Sequence, residues 1–323
     1  MTQIDLSVPS SNWTLADQAQ PAFRLFAHLS FYKAHPYVFT EQYEALFALF
    51  APILKERCDK IMMWDRPGAN ARRGNKIKPD DWRPFEHIKS IHSDPSNGIF
   101  TGFYFVDKSD KDMKGRGLCS FRFFVGSSIR LDACIPLEDW QAGRLDVEAL
   151  VAVLQTLPYF SFSAGYGLSL SDQFDNAAAF DLAEMLIPVA HRYPALDLQH
   201  AEQRNAVPKD EADASAFWIG GVNWLTGVGE PFVSALGGAP ALARGLPAGI
   251  DMNSGSSGVV FRLGEHPITG EAGVDDTALP LYRQLGQRLR PIGYPDADSL
   301  RKFVFGKFKQ AESLAWMRRF YDS

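Results

Sequence analysis

Ile219-Gly220-Gly221-Val222-Asn223-Trp224-Leu225-Thr226-Gly227-Val228-Gly229-Glu230-Pro231, closed a few residues on by Leu236-Gly237-Gly238, reads as a strand that enters a turn and then a short helix. Phe217, Ile219 and Val222 favour extended backbone, and Gly227 and Gly229 admit backbone angles closed to other residues. Pro231 suits a first helical turn, while Gly237 and Gly238 stand where a helix C-cap needs them. Pro240 and Gly245 repeat the pattern for a second short helix. Trp224 is expected to be buried with its indole N–H on a backbone carbonyl. Gly221, Asn223, Trp224, Gly229, Pro231, Gly237 and Gly238 therefore read as the framework of a structural corner, not as a catalytic motif.

Upstream of this corner the chain alternates. Phe23, Leu25, Ala27, Leu29 and Phe31 fall on one side of a half-buried strand. From Thr40, a cap candidate, Tyr43, Phe47, Phe50 and Leu54 lie at helical spacing, with Pro52 expected to kink the helix. Ile61-Met62-Met63-Trp64 forms another strand, and Asp65 to Pro84, with Gly68, Asn70, Gly74 and Pro79, a long exposed loop. Phe100–Val106, Leu118–Val125 and Ser127–Pro136 predict an antiparallel meander. Asp146 caps a helix over Val147–Leu157, two strands follow at Tyr159–Ser163 and Tyr166–Leu170, and Asn176 begins a long apolar helix that Pro188 ends.

Beyond the corner come strands near Ile250 and Val259, a helix from Ala278 to Leu289 and a helical tail after Asp296. Grouped strands favour α+β over a doubly wound sheet, with mixed, largely antiparallel sheets and packed helices. The expected organisation is a polar lead-in at 1–20, an N-terminal half at 21–145 and a C-terminal half at 146–323. A strand, helix, strand-pair, helix order in each raises the idea that the halves are related.

The chain has 323 residues, 46% hydrophobic and 22% charged, and a net charge of −5. These are the proportions of a folded protein, and the acidic balance argues against nucleic acid or an anionic membrane as partner. No apolar run reaches the length of a membrane span, and the first twenty residues lack a basic segment followed by an apolar one, so a cytoplasmic protein is expected. Cys58, Cys119 and Cys134 are odd in number and lack C-x-x-C spacing, pointing to neither a disulfide framework nor zinc.

Searches for chemistry end negatively. Glu86-His87 followed by His92 misses the i, i+4 spacing of a zinc helix, which leaves hydrogen-bonded loop or strand histidines. Gly255-Ser256-Ser257-Gly258 lacks the full nucleophile-elbow frame and reads as a tight hairpin turn. Thr101-Gly102-Phe103-Tyr104-Phe105-Val106 has the aromatics of an RNA-binding strand without its basic residue, so core aromatics are expected. No cofactor or metal is implied. The least implausible polar cluster for an enzyme is Asp172, Asp175 and His191.

One electrostatic pattern stands out. No Lys or Arg occurs between Arg144 and Arg192, where Asp146, Glu148, Asp172, Asp175, Asp181 and Glu184 are acidic, or between Arg262 and Arg283, where Glu265, Glu271, Asp275 and Asp276 are. Such stretches form either a solvated acidic surface or a patch that meets a basic groove on a partner.

The order of short strings across more than a hundred residues resembles the bacterial TsiV-like family of type VI secretion immunity proteins. It is carried by Gly-Val-Asn-Trp-Leu-Thr at 221–226, the aromatic and serine segment from Pro158 to Leu170, His191-Arg192-Tyr193-Pro194-Ala195-Leu196-Asp197, Gly258 to Gly264, Leu281-Tyr282-Arg283 and Leu289-Arg290-Pro291-Ile292. The likeness is good over 155–293 and looser over 20–150. Two departures stand: Gly270 to Asp276 replaces a Gly-Asp-x-Asn, and 65–84 is longer and more polar. The resemblance implies a cytoplasmic immunity protein, not an enzyme, that binds a cognate antibacterial effector; the alternatives are an enzyme of unknown chemistry using Asp172, Asp175 and His191, and a scaffold or adaptor of secretion machinery. The implied effector is a VRR-Nuc or related restriction-endonuclease-like nuclease whose active or DNA-binding site is occluded. Asp172, Asp175, Glu271, Asp275 and Asp276 are then the expected toxin-facing residues.

Overall fold

The computed structural model describes residues 19–31, 40–64, 75–92, 101–108, 119–125, 128–170, 187–198, 219–294 and 310–322. Its centre is one strand pairing: β1 (Ala19–Phe31) runs antiparallel to β7 (Tyr159–Leu170), in one register from Ala19↔Leu170 to His28↔Ser161, with a shift before Leu29↔Tyr159. On the β1 side lie β6 (Ser128–Pro136), β5 (Ser120–Val125), β4 (Thr101–Asp107), β2 (Cys58–Trp64) and the two-residue β3 (Asn75–Lys76). On the β7 side lie β8 (Leu225–Gly229), β10 (Gly258–Leu263) and β9 (Ile250–Gly255). The ten strands among the described residues form one sheet with antiparallel pairings, which crosses the 145/146 boundary and, with the helices packed on it, makes the fold α+β.

The predicted meander is β4–β5–β6. In β5 burial alternates strictly, with Phe121, Phe123 and Val125 inward. Phe103 and Phe105 of β4 are fully buried among them, which removes them from any base-stacking role. Over this face lies α1 (Thr40–Arg57), whose Tyr43, Leu46, Phe47, Phe50, Ile53 and Leu54 form its buried stripe, with Pro52 inside the helix. Phe47 meets Phe121 edge to face at 5.1 Å, a geometry that adds to the burial of both rings. Helix α2 (Pro84–His92) contributes Phe85 to the same cluster. His87 therefore stands on a helix, not in a loop or strand.

Helix α3 (Leu137–Gln141) follows β6, and α4 (Val147–Thr156) packs beside α1, with Asp146 accepting the Ala149 N–H at 3.0 Å as the expected cap. Charge fastens the same junction. Asp139, 3% exposed, accepts from Arg57 Nε at 3.0 Å and Arg144 Nη1 at 2.7 Å, and Arg144 also reaches Glu56 at 2.7 Å.

Four expectations change in detail. β1 is buried on both faces from Ala22 to Leu29, because each face is covered: Trp140 stacks on Phe23 at 4.0 Å on one, and Asp197 closes over Gly167 and Arg24 on the other. Its Arg24 stays charged there: burial works against the charge, and the carboxylates of Asp132, at 3.1 Å, and Asp197 outweigh it, raising the pKa above its ordinary value. Tyr159–Leu170 is one strand, not two. Gly165 and Gly167 do not break it; a side-chain carbon at Gly165 would lie 2.1 Å from Asn223 Oδ1, and at Gly167 2.7 Å from the Asp197 carbonyl. Within the expected exposed loop, residues 75–84 hold β3 and a 3-10 turn (Pro79–Trp82) whose Trp82 stacks on Phe105 at 4.9 Å; 65–74 lie outside the described residues. Residues 187–192 are helical, so Pro188 does not end that helix, whose expected start at Asn176 lies outside the described residues.

Gly227 gives a direct test of the packing between β7 and β8. Its backbone is ordinary strand, and a Cβ there would fall 2.1 Å from the Phe162 ring, so absence of a side chain matters and conformational freedom does not. Gly227→Ala should lose about 1–3 kcal/mol in thermal or denaturant unfolding. The loss should shrink in a Phe162→Leu background; an unchanged melting temperature in Gly227→Ala alone would show that the approach is loose.

Candidate interaction surface

In the corner at 219–245 Pro231 and Pro240 open the two short helices and Gly237 and Gly238 cap the first, as the sequence predicts. Ile219 makes only an isolated bridge to Gly293, so the strand begins later than expected, at Leu225. Asn223 turns the chain: its N–H donates to Thr226 Oγ1 at 3.0 Å, its carbonyl accepts from the same hydroxyl at 2.8 Å, and its Oδ1 accepts the Trp224 N–H at 2.7 Å. Gly221 has φ +112°, a conformation that favours glycine. After β8, Pro231 opens α5 (Glu230–Ala235), and Gly229 is again a matter of space, since a Cβ would meet the Tyr159 carbonyl at 2.1 Å. Gly237 donates to Ser234 O and Gly238 to Val233 O, the paired bonds of a Schellman cap. Helix α6 (Ala239–Ala243) follows with Pro240 in its first turn.

Trp224 is fully buried, and its indole N–H donates to the Gly264 carbonyl at 3.3 Å. Its ring meets Phe23 and Trp140 edge to face and lies under the Arg262 guanidinium at 5.3 Å. It joins β1, α3 and the segment after β10, and it presents nothing to a partner.

The second basic-free stretch forms a loop between β10 and α7 (Leu279–Leu289), and its shape comes from one carboxylate. Asp275 is 7% exposed, and its Oδ2 accepts from Thr269 N at 3.1 Å, Thr269 Oγ1 at 2.9 Å, Gly270 N at 2.7 Å and Glu271 N at 3.2 Å. The expectation that Asp275 faces a toxin is therefore corrected: its charge is spent on loop amides, which is how a buried carboxylate is accommodated. Gly270 sits against Pro194 and Ala195 with φ +81°, anchoring the loop base beside 193–197, and the Ala195 N–H donates to the Thr269 carbonyl at 2.8 Å.

Above that base the loop is exposed. Asp276 is at the surface with Oδ1 accepting from Gly273 N at 2.9 Å. Glu271 is half-buried and takes both Arg192 Nε at 2.9 Å and Nη2 at 2.8 Å, which raises the Arg192 pKa and offsets part of the loop's charge. Between Gly273 and Asp275, Val274 is 59% exposed, the one large hydrophobic side chain so displayed among the described residues. An apolar residue set between Gly273 and Asp275 was the available signal, and the sequence reading passed over it. Arg192 and Arg262 flank the two acidic stretches and tie them together, since Arg262 Nη1 reaches Glu148 at 2.5 Å as Arg192 reaches Glu271.

The enzyme cluster gains no geometry. His191 is exposed at the end of a helix, and Asp172 and Asp175 lie outside the described residues. The Ser256-Ser257 pair is the two-residue turn of the β9–β10 hairpin. Among the described residues no group of three or more His, Cys, Asp or Glu side chains is placed to hold a metal, and no helix is long and apolar enough to cross a membrane.

Two substitutions separate the roles of corner and loop. Trp224→Ala should cost about 3–5 kcal/mol, read as lost melting temperature and soluble yield. Asp275→Ala strands the loop amides and should cost about 1–3 kcal/mol, with faster amide exchange at Gly270 and Glu271. An Asp275→Ala protein with parental stability and exchange would show that the carboxylate does not build the loop.

The comparisons with known proteins agree with this architecture. The fold is similar to that of the Pseudomonas aeruginosa T6SS protein PA0821, with a TM-score of 0.72 at 17% identity, covering 94% of this chain and 82% of that one. No curated protein matches the sequence. The TsiV family, described as type VI immunity for VRR-NUC, matches residues 140–320, more than half of the chain and the part that holds the corner and the loop. The chain therefore belongs to the TsiV family of type VI immunity proteins.

Proposed function

We propose that this immunity protein neutralises a VRR-Nuc effector by binding it and covering its phosphate-binding surface, acting in the cytoplasm and without turnover of its own. The observation that carries the reading is the loop at 269–277. One buried carboxylate fixes it, and it displays an apolar side chain, Val274, beside the exposed Asp276. A nuclease must offer cationic groups to its substrate's phosphates. A pre-organised loop with net negative charge and a central apolar contact can occupy such a groove with little ordering cost. Glu271 contributes to the field while held by Arg192, Asp275 acts from beneath by shaping the loop, and Asp172 and Asp175 belong to the proposed acidic surface through the first basic-free stretch. Family membership supports the partner class.

Surface plasmon resonance with the cognate VRR-Nuc nuclease tests this. The parent should bind with a dissociation constant on the order of nanomolar or tighter, because a poison in the same compartment must be held almost completely. Asp276→Lys should slow association, and raising salt from about 0.05 to about 0.5 M should slow the parent's association more than the variant's. Val274→Ala should act mainly on dissociation. Unchanged rates in both variants would place recognition elsewhere on the protein.

A further inference from the structure

The ten-stranded sheet ends at β9, which pairs with β10 on one side and with no described strand on the other. The pairing is unbroken from Gly255↔Gly258 to Ile250↔Leu263, so no bulge twists the edge away. Its sequence, Ile250-Asp251-Met252-Asn253-Ser254-Gly255, has neither Pro nor Lys, the usual guards of a free edge, and Asp251, Asn253, Ser254 and Gly255 are exposed. The backbone direction follows from two bonds. Leu263 N–H donates to Trp224 O at 2.9 Å on the β8 side, and Gly264 N–H to Gly249 O at 2.8 Å on the β9 side. Even-numbered residues of β10 thus face β9 and engage Asp251, Asn253 and Gly255, which leaves the N–H and C=O groups of Met252 and Ser254 pointing outward.

Charge selects the occupant. Asp251 is exposed on the strand, Glu148 of α4 keeps 77% of its side chain exposed, and Glu265 is exposed just past β10. The nearby cation Arg262 is engaged by Glu148 and by the Glu265 carbonyl. Resting on the reading of the protein as a nuclease inhibitor, we infer that β9 accepts an extended, basic segment of the VRR-Nuc effector as an eleventh strand, with backbone bonds to Met252 and Ser254 and its cationic side chains over Asp251 and Glu148.

Ser254→Pro removes one outward N–H without touching the β9–β10 ladder, a place where a sheet tolerates proline. With the full-length chain and the purified cognate VRR-Nuc nuclease, the parent should bind and abolish DNA cleavage, and the Met252 and Ser254 amides should exchange more slowly in the complex. Ser254→Pro, at parental melting temperature, should bind about tenfold more weakly or worse. Asp251→Asn, a second variant that keeps the backbone, should weaken binding at low salt more than at high salt. A parent that does not inhibit the nuclease overturns the functional reading itself. A parent that inhibits while Ser254→Pro binds equally well and the two amides stay unprotected overturns only the strand addition. Loss of a dimer in Ser254→Pro with effector binding intact would also overturn it, by assigning the edge to a second copy of the chain.

Discussion

The antiparallel pairing of β1 with β7 is the constraint on which the rest of the structure depends. It brings Ala19–Phe31 against Tyr159–Leu170, strands more than a hundred residues apart, and so makes one sheet of what the sequence divides at residue 145. Both strands are also buried on their second faces, over 22–29 in β1 and 162–168 in β7. Arg24 can stand there only because Asp132 and Asp197 balance it, and Gly165 and Gly167 are required because Asn223 and Asp197 close down on them. The signature corner is the lid of that pairing: Asn223 sits over Gly165, and Trp224 touches Phe23 of β1.

This explains why a stretch that looks like a motif is accounted for as framework. Each of its distinctive residues answers a geometric demand, namely the Asn223–Thr226 turn, the close approach of Gly227 and Gly229 to β7, and the Schellman cap at Gly237 and Gly238. The proposed recognition surfaces are segments hung from this frame, the loop between β10 and α7 and the open edge of β9. Both are rigidly held from within, the loop by Asp275 and the edge by its unbroken ladder, so neither needs to be ordered when a partner arrives.

Much of the fold was legible because it is local. The alternation in β5, the helical stripe of α1, the Asp146 cap and the Pro and Gly marks around α5 and α6 all act within a few residues. What misled were residues whose reason lies across the sheet. Ala164-Gly165 was expected to separate two strands, yet Gly165, like Gly167, is a close approach within one, and Gly227 and Gly229 read as conformational freedom and are spaces for β7. The acidic loop was legible as charge but not as structure, since nothing along the chain distinguishes Asp275, turned inward to four donors, from Asp276, turned outward. Val274 left one trace in the sequence, an apolar residue between Gly273 and Asp275, but its exposure belongs to the folded loop and not to the residue type.

The central claim is that the protein works by excluding DNA from its effector. Fluorescence anisotropy of a labelled duplex bound to a catalytically inactive VRR-Nuc effector tests it most directly. Titration with this protein should release the DNA stoichiometrically, returning the anisotropy to that of free duplex as the immunity complex forms. A stable ternary assembly, with the duplex still held while the immunity protein is bound, would contradict the account.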